Sequence, residues 1–236
     1  MSEEKKSKTN FLLGLFVGMA VLSTIAFFTL LIVVFSNKQE VNLAANAEEI
    51  QPAVEQNADA PVGQPIPAIR DSESFKGGED AQVVLVEYTD FECPYCFRHH
   101  ATMNQVIAEY GNKIKYVLRH FPLGFHPEAQ KAAEAFECAA EQGKAYQMSD
   151  YIFDANEASE MSVAKWKEGA KTLGLKTSQF NDCLDDGKYA GKVQQDVSEG
   201  SASGVDGTPA TFVNGQLVSG ALPFESFTQI IDQLLQ

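Results

Sequence analysis

Cys93-Pro94-Tyr95-Cys96 sets two thiols at a spacing that can do chemistry, between an apolar run, Val83-Val84-Leu85-Val86-Glu87-Tyr88, and a segment, Phe97 to Tyr110, that reads as a helix. Two cysteines so spaced, opening a helix that follows a strand, are where redox-active dithiols sit. The first turn of a helix has unpaired N–H groups and the positive end of the helix dipole, and both stabilise an anion. A thiolate on Cys93 is that anion. Pro94 suits the first helical position, where its missing N–H costs nothing. The chemistry favoured is thiol–disulfide exchange, with Cys93 attacking or being attacked and Cys96 resolving the mixed disulfide. Cys93 is expected to be exposed, with a pKa well below the ~8.5 of a free thiol.

The alternative is half of a zinc site, which needs two further ligands. The remaining thiols, Cys138 and Cys183, are not paired with each other at ligand spacing, and His99, His100, His120 and His126 show no zinc-finger pattern. No metal or cofactor is expected.

The elements around the dithiol belong to a chain with three parts. Residues 11–35 carry no charge and are nearly all apolar or small. At 1.5 Å per residue the run spans roughly 38 Å, enough for a transmembrane helix. Lys5, Lys6 and Lys8 precede it and Lys38 follows, which leaves residues 1–10 cytoplasmic and exports the rest. A cleaved signal peptide is the competing reading, since Ala45-Asn46-Ala47 resembles a cleavage site. The apolar run is longer than a usual signal core, however, and Ala47 lies far beyond it. Residues 36–74, with Pro52, Pro61, Pro65 and Pro67 and no apolar periodicity, read as a flexible linker. Residues 75–236 suit one domain with a real core. A net charge of −14 without a basic stretch argues against nucleic acid as a partner. Four cysteines fit an oxidising compartment.

Within the domain, Val83–Thr89 reads as a strand buried on both faces, and the alternation in 113–118 as a half-buried one. A strand, a helix and a strand in this order suggest a parallel βαβ unit. Helical patterns then occupy 127–142, 145–155, 162–174, 177–184 and 188–202, with Phe136, Phe153 and Trp166 as their core. Strands return at 209–213 and 216–219 around the Asn214-Gly215 turn. Phe224, Phe227, Ile230, Ile231 and Leu234 mark one face of a last helix.

Three motifs in sequence order carry a family resemblance: Glu87-Tyr88-Thr89-Asp90-Phe91-Glu92 before the dithiol, Arg119-His120-Phe121-Pro122-Leu123 with His126-Pro127, and Gly207-Thr208-Pro209 before a strand. The chain resembles the DsbA-like thiol–disulfide oxidoreductases of the thioredoxin-fold family, especially membrane-anchored bacterial forms. The resemblance implies an α/β thioredoxin-like fold with an inserted all-helical domain at about 127–202, preceded here by one transmembrane helix. It also implies a cis Thr208–Pro209 bond facing the dithiol, where a free backbone edge can pair with a substrate segment. It makes Glu87 a buried acid that relays a proton to Cys96, and it suggests a second, structural disulfide between Cys138 and Cys183. Pro94, Tyr95, Glu87, Thr208 and Pro209 are thus expected to support the catalytic Cys93 and Cys96. His99 and His100 read as solvated on an exposed helix face, His120 and His126 as structural. Tyr95 stands where DsbA has a histidine, a departure that bears on oxidising strength.

The function implied is disulfide donation to reduced exported proteins. A membrane quinone reductase of the DsbB or VKOR type would be the electron acceptor. A reductase or isomerase using the same dithiol, and a non-catalytic thiol-dependent chaperone, are the alternatives.

Overall fold

The computed structural model describes residues 68–236. The apolar run 11–35 and most of the expected linker lie outside the described residues. Among the described residues, no helix is long and apolar enough to cross a membrane.

Strand β2 (Val83–Thr89) is the one around which the others are arranged. Its valines suit a position flanked on both edges. It pairs in parallel with β3 (Ile114–His120) and antiparallel with β4 (Ala210–Val213). The pair β4 and β5 (Gln216–Ser219) closes through Asn214-Gly215, both at positive φ, as a tight hairpin turn requires. A short strand the sequence did not announce, β1 (Phe75–Gly77), lies antiparallel to β3. The sheet order is β1-β3-β2-β4-β5.

Helix α1 (Pro94–Tyr110) crosses from β2 to β3, and α7 (Phe224–Leu234) packs beside it. Between β3 and β4 run α2 (Ala129–Ala140), α3 (Ala145–Glu157), α4 (Val163–Thr172), α5 (Thr177–Asp185) and α6 (Ala190–Ala202). The order read from the sequence is the order observed. β3 was expected to be half-buried, but six of its seven residues do not alternate with solvent in that way: only Lys115 is partly exposed. The reason is that β1 and β2 cover its edges while helices cover its faces.

On one face of the sheet Leu85, Tyr116, Met103, Val106, Phe227 and Ile231 join the core beneath α1 and α7. On the other, Val86, Tyr88, Val117, Phe121 and Phe212 pack under α6. α6 approaches closely because it offers Gly200, where a Cβ would stand 2.8 Å from the Tyr88 ring. Phe136, Phe153, Trp166 and Phe180 fill the helical block. There the Cys138–Cys183 disulfide joins α2 to α5, with Cα atoms 5.9 Å apart.

The linker boundary needs correction. Residues 68–74, read as its end, are held on the domain by Arg119, whose side chain is fully buried. The Arg119 guanidinium donates to Glu73 at 2.7 and 2.9 Å, to the Tyr88 hydroxyl at 3.1 Å and to the Ala68 carbonyl. Arg70 adds contacts to Glu73, Asp196 and Glu199. A buried guanidinium needs such partners, and no composition rule marks which upstream residues will supply them. Burial raises the Glu73 carboxyl, but the hydrogen bonds from Arg119 and Arg70 outweigh it and bring it down to about 2.

Two stability measurements follow. Glu73→Ala leaves the buried Arg119 with only the Glu199 carboxylate, 3.6 Å away, and should cost about 3 kcal/mol at pH 7, the low end for a broken buried pair. Because the folded pKa of Glu73 is depressed from 4.5, its contribution is present above that pH and lost as pH falls through about 2. Denaturant titrations should therefore show the gap to wild type closing across that interval. Replacing Cys138 and Cys183 together by Ala opens a loop of 45 residues and should cost up to about 4 kcal/mol, read as a lower denaturation midpoint under non-reducing conditions.

Candidate functional site

The register of the central strands assembles the site. Tyr88 of β2 faces Ala210 of β4, so the residues just before β4 lie beyond the C-terminal end of β2, where α1 begins. Thr208 and Pro209 are those residues, and the bond between them is cis. The Thr208 carbonyl accepts from Cys93 Sγ at 3.7 Å.

Cys93 is the N-cap of α1 with extended backbone, and Pro94 fills the first turn. Both Cys93 and Cys96 are free thiols. Cys93 was expected to be exposed, but it is only 4% so. The loop carrying Thr208 and Pro209 lies against it, while Pro94 and Tyr95 take the solvent-facing positions. A hydrogen bond from the Cys96 thiol, opposed by burial, and the backbone N–H groups of Cys96 and Tyr95 bring the Cys93 thiol down to about 5. Burial, and then the neighbouring Cys93 sulfur, push Cys96 well above the ordinary thiol range. One sulfur is made an anion and the other is kept protonated.

Asp90, which the sequence reading passed over, binds this pair to the rest of the molecule. Its N–H donates to Cys96 Sγ at 3.4 Å, and its carbonyl accepts from the Cys93 N–H at 3.1 Å. Its carboxylate accepts from Glu92 N–H at 2.8 Å, Leu123 N–H at 2.7 Å and His126 Nδ1 at 2.8 Å. The loop after β3 is thereby fixed against the dithiol. That loop carries Phe125, the most exposed large apolar side chain described, and Tyr95 is the next.

Below the dithiol, Glu87 is buried as expected. Its carboxylate accepts from the Tyr116 hydroxyl at 2.6 Å and lies 3.6 Å from His99 Nε2. The expectation for the two helix histidines fails. His99 is fully buried, and His100 stacks on Phe153 with its ring bonded to Asp150 at 2.9 Å. The signal lay in the helical stripe: Cys96, His99, Met103, Val106 and Tyr110 all occupy the inner face of α1. The buried hydroxyls of Thr89 and Thr208 lie against Cys96 and favour its anion, and that of Thr208 favours the Cys93 anion as well.

His120 is buried with Nε2 2.7 Å from Glu137, as befits a structural residue. With Asp196 these two are spaced for a cation. The Lys192 ammonium already bridges Glu137 at 2.7 Å and Asp196 at 3.2 Å, so the cluster's negative charge is met by a side chain.

A thioredoxin-like sheet interrupted by a helical block, with the Cys93-Cys96 pair and a cis proline at one end of its central strand, defines a DsbA-like thioredoxin-fold protein. The chain belongs to the thioredoxin family, whose model matches residues 70–233. Among solved structures it is similar to Wolbachia pipientis alpha-DsbA1, with 23% identity and a TM-score of 0.63, over 70% of this chain and 92% of that one. It is also similar to oxidised BdbD from Bacillus subtilis, with 19% identity and a TM-score of 0.60, over 73% of this chain and 97% of that one. These likenesses concern the fold. Among curated proteins it is similar to the Na(+)/H(+) antiporter NhaA 3 of Salinispora tropica, 37% identical over 167 residues, 70% of this chain and 25% of that protein. The chain spans about a quarter of the length of the antiporters it matches, and ion transport belongs to those whole proteins.

Alkylation of the reduced protein with iodoacetamide should be half-maximal near pH 5 at Cys93, with Cys96 unreactive until well above pH 9. A Cys93 midpoint at pH 8 or above would show that the helix terminus does not activate it. The depressed pKa also makes the reduced fold gain stability from this thiolate, fully above about pH 9 and lost as pH falls through about 5.

Proposed function

We propose that this chain is an extracytoplasmic thiol–disulfide oxidoreductase, anchored through residues 11–35, that donates disulfides to reduced exported proteins through Cys93 and Cys96. The observation that carries the reading is the placement of two free thiols, Cys93 at the N-cap of α1 against the Thr208 carbonyl and Cys96 fully buried on the inner face of the same helix. A client thiolate attacks Cys93 Sγ, the Cys93–Cys96 bond breaks, and Cys96 leaves with the electron pair. A second client thiolate then attacks the client sulfur of the mixed disulfide and releases the Cys93 thiolate. The client is oxidised by two electrons and the dithiol reduced by two. A low Cys93 pKa favours this direction, because it makes Cys93 a good leaving group and stabilises the reduced dithiol.

Supporting roles follow from position. Pro94 starts α1, Tyr95 offers an exposed ring with Arg98 stacked over it at 4.7 Å, and Thr208 with Pro209 presents a backbone edge beside Cys93 for an extended client segment. The Cys138–Cys183 bridge holds the helical block. Reoxidation requires an electron acceptor, for which a membrane quinone reductase of the DsbB or VKOR type fits an anchored domain.

Cys96→Ser should accumulate mixed disulfides with exported proteins through Cys93, and Cys93→Ser should form none; both are read by diagonal non-reducing electrophoresis. Direction is decided by the equilibrium with glutathione and by assays with reduced and disulfide-containing clients. A couple as reducing as thioredoxin's, near −270 mV, would reverse the assignment from donor to reductase. Turnover of neither kind of client would leave a holding chaperone.

A further inference from the structure

In either direction of exchange Cys96 must gain or lose a proton, yet its side chain has no contact with solvent. The proton therefore needs an acceptor inside the protein. His99 lies on the same inner face of α1, one turn beyond Cys96, and is fully buried. Its Nε2 is 3.0 Å from the Thr211 hydroxyl and 3.6 Å from Glu87 Oε2. Its Nδ1 is buried with no partner. With Nε2–H directed at Thr211 and Glu87, Nδ1 is left as an open lone pair. Glu87 and Thr89 alternate along the same face of β2, and the Thr89 hydroxyl lies against Cys96.

We infer that His99 completes Glu87 as a two-residue proton store for Cys96, a role that rests on the dithiol reading above. When Cys96 is a thiol, the store holds Glu87 as carboxylate and His99 as neutral imidazole. When Cys96 becomes a thiolate, its proton passes to the store, which is then neutral overall. One negative charge moves between sulfur and store, and a second buried anion, which would be costly, never forms. His99 here is a positioning residue that acts through Glu87.

The groups facing His99 are compatible with this exchange. Glu87 approaches from β2, with the Tyr116 hydroxyl of β3 on its far side. Thr211 of β4 and Phe227 of α7, whose ring is 5.4 Å away, are uncharged. His100 is the neighbour on its own helix. Burial disfavours the imidazolium, Glu87 favours it and His100 opposes it, so His99 stays neutral until a proton is delivered.

The test separates the two cysteines in time. Reduced protein mixed with a chromophoric aromatic disulfide releases the chromophore twice, first when the Cys93 thiolate attacks and then when Cys96 resolves the mixed disulfide. His99→Gln and Glu87→Gln should slow the second release at least about tenfold at pH 7, a floor set beneath the roughly 10²–10⁴-fold that a positioned proton acceptor contributes. His99→Phe, which keeps packing against Phe227, should do the same. In wild type, the second release should level off with pH below the titration of Cys96. In the variants it should rise log-linearly with pH, as the thiol loses its proton to hydroxide. An unchanged second release in a folded His99→Gln or His99→Phe protein overturns the inference. So does a log-linear profile in wild type, which needs no variant. A wild-type protein lacking the first fast release at pH 7 fails earlier, at the reading of Cys93 itself.

Discussion

The start of α1 is the constraint on which the rest of the site depends. A helix that begins shortly after a central strand ends leaves its first N–H groups without partners inside the helix. The Cys93 sulfur takes up the N–H groups of Tyr95 and Cys96, and it can do so fully only as an anion. Everything around it either holds that terminus in place or disposes of the charge. Asp90 ties the turn from both sides, and the β2–β4 register brings the Thr208 carbonyl over the sulfur. The Thr89 and Thr208 hydroxyls lie against Cys96, the thiol that must change its proton.

This division explains why two adjacent thiols of the same chemistry behave so differently. Cys93 is placed where backbone dipoles converge. Cys96, one turn later on the inner face, sees mainly apolar side chains and two hydroxyls. The contrast needs no metal and no charged side chain in contact with Cys93. It is a property of where a helix begins and which way its first turn faces.

Much of this was legible in the sequence, because the signals were local. Val83–Thr89, the Asn214-Gly215 turn and the apolar stripe of the last helix each depend on neighbours within a few residues, and their elements appear where the pattern sets them. The dithiol could be read for the same reason. The failures were of another kind. His99 looked solvated because histidine usually is, and only the docking of α1 on the sheet buries it. Arg119 and Glu73 are 46 positions apart, and nothing in a residue's own surroundings says which distant partner will neutralise it. Asp90 stood out only as one member of the motif before the dithiol, although five hydrogen bonds made by its backbone and carboxylate unite three segments. β1 was too short, at three residues, to leave a periodic trace.

Trp166 is the single tryptophan of the chain, and it is wholly buried in α4, which packs on α2, α3 and α5. Near-ultraviolet emission from this protein is thus a signal from the helical block, the region braced by the Cys138–Cys183 bridge. The tyrosines are not divided in this way: Tyr88, Tyr95, Tyr110 and Tyr116 belong to the sheet, α1 and the mouth of the site, whereas Tyr146, Tyr151 and Tyr189 belong to the helical block. Tryptophan emission, excited selectively, therefore reports on one side of the architectural seam alone, and melting of the inserted helices can be followed separately from events at the dithiol.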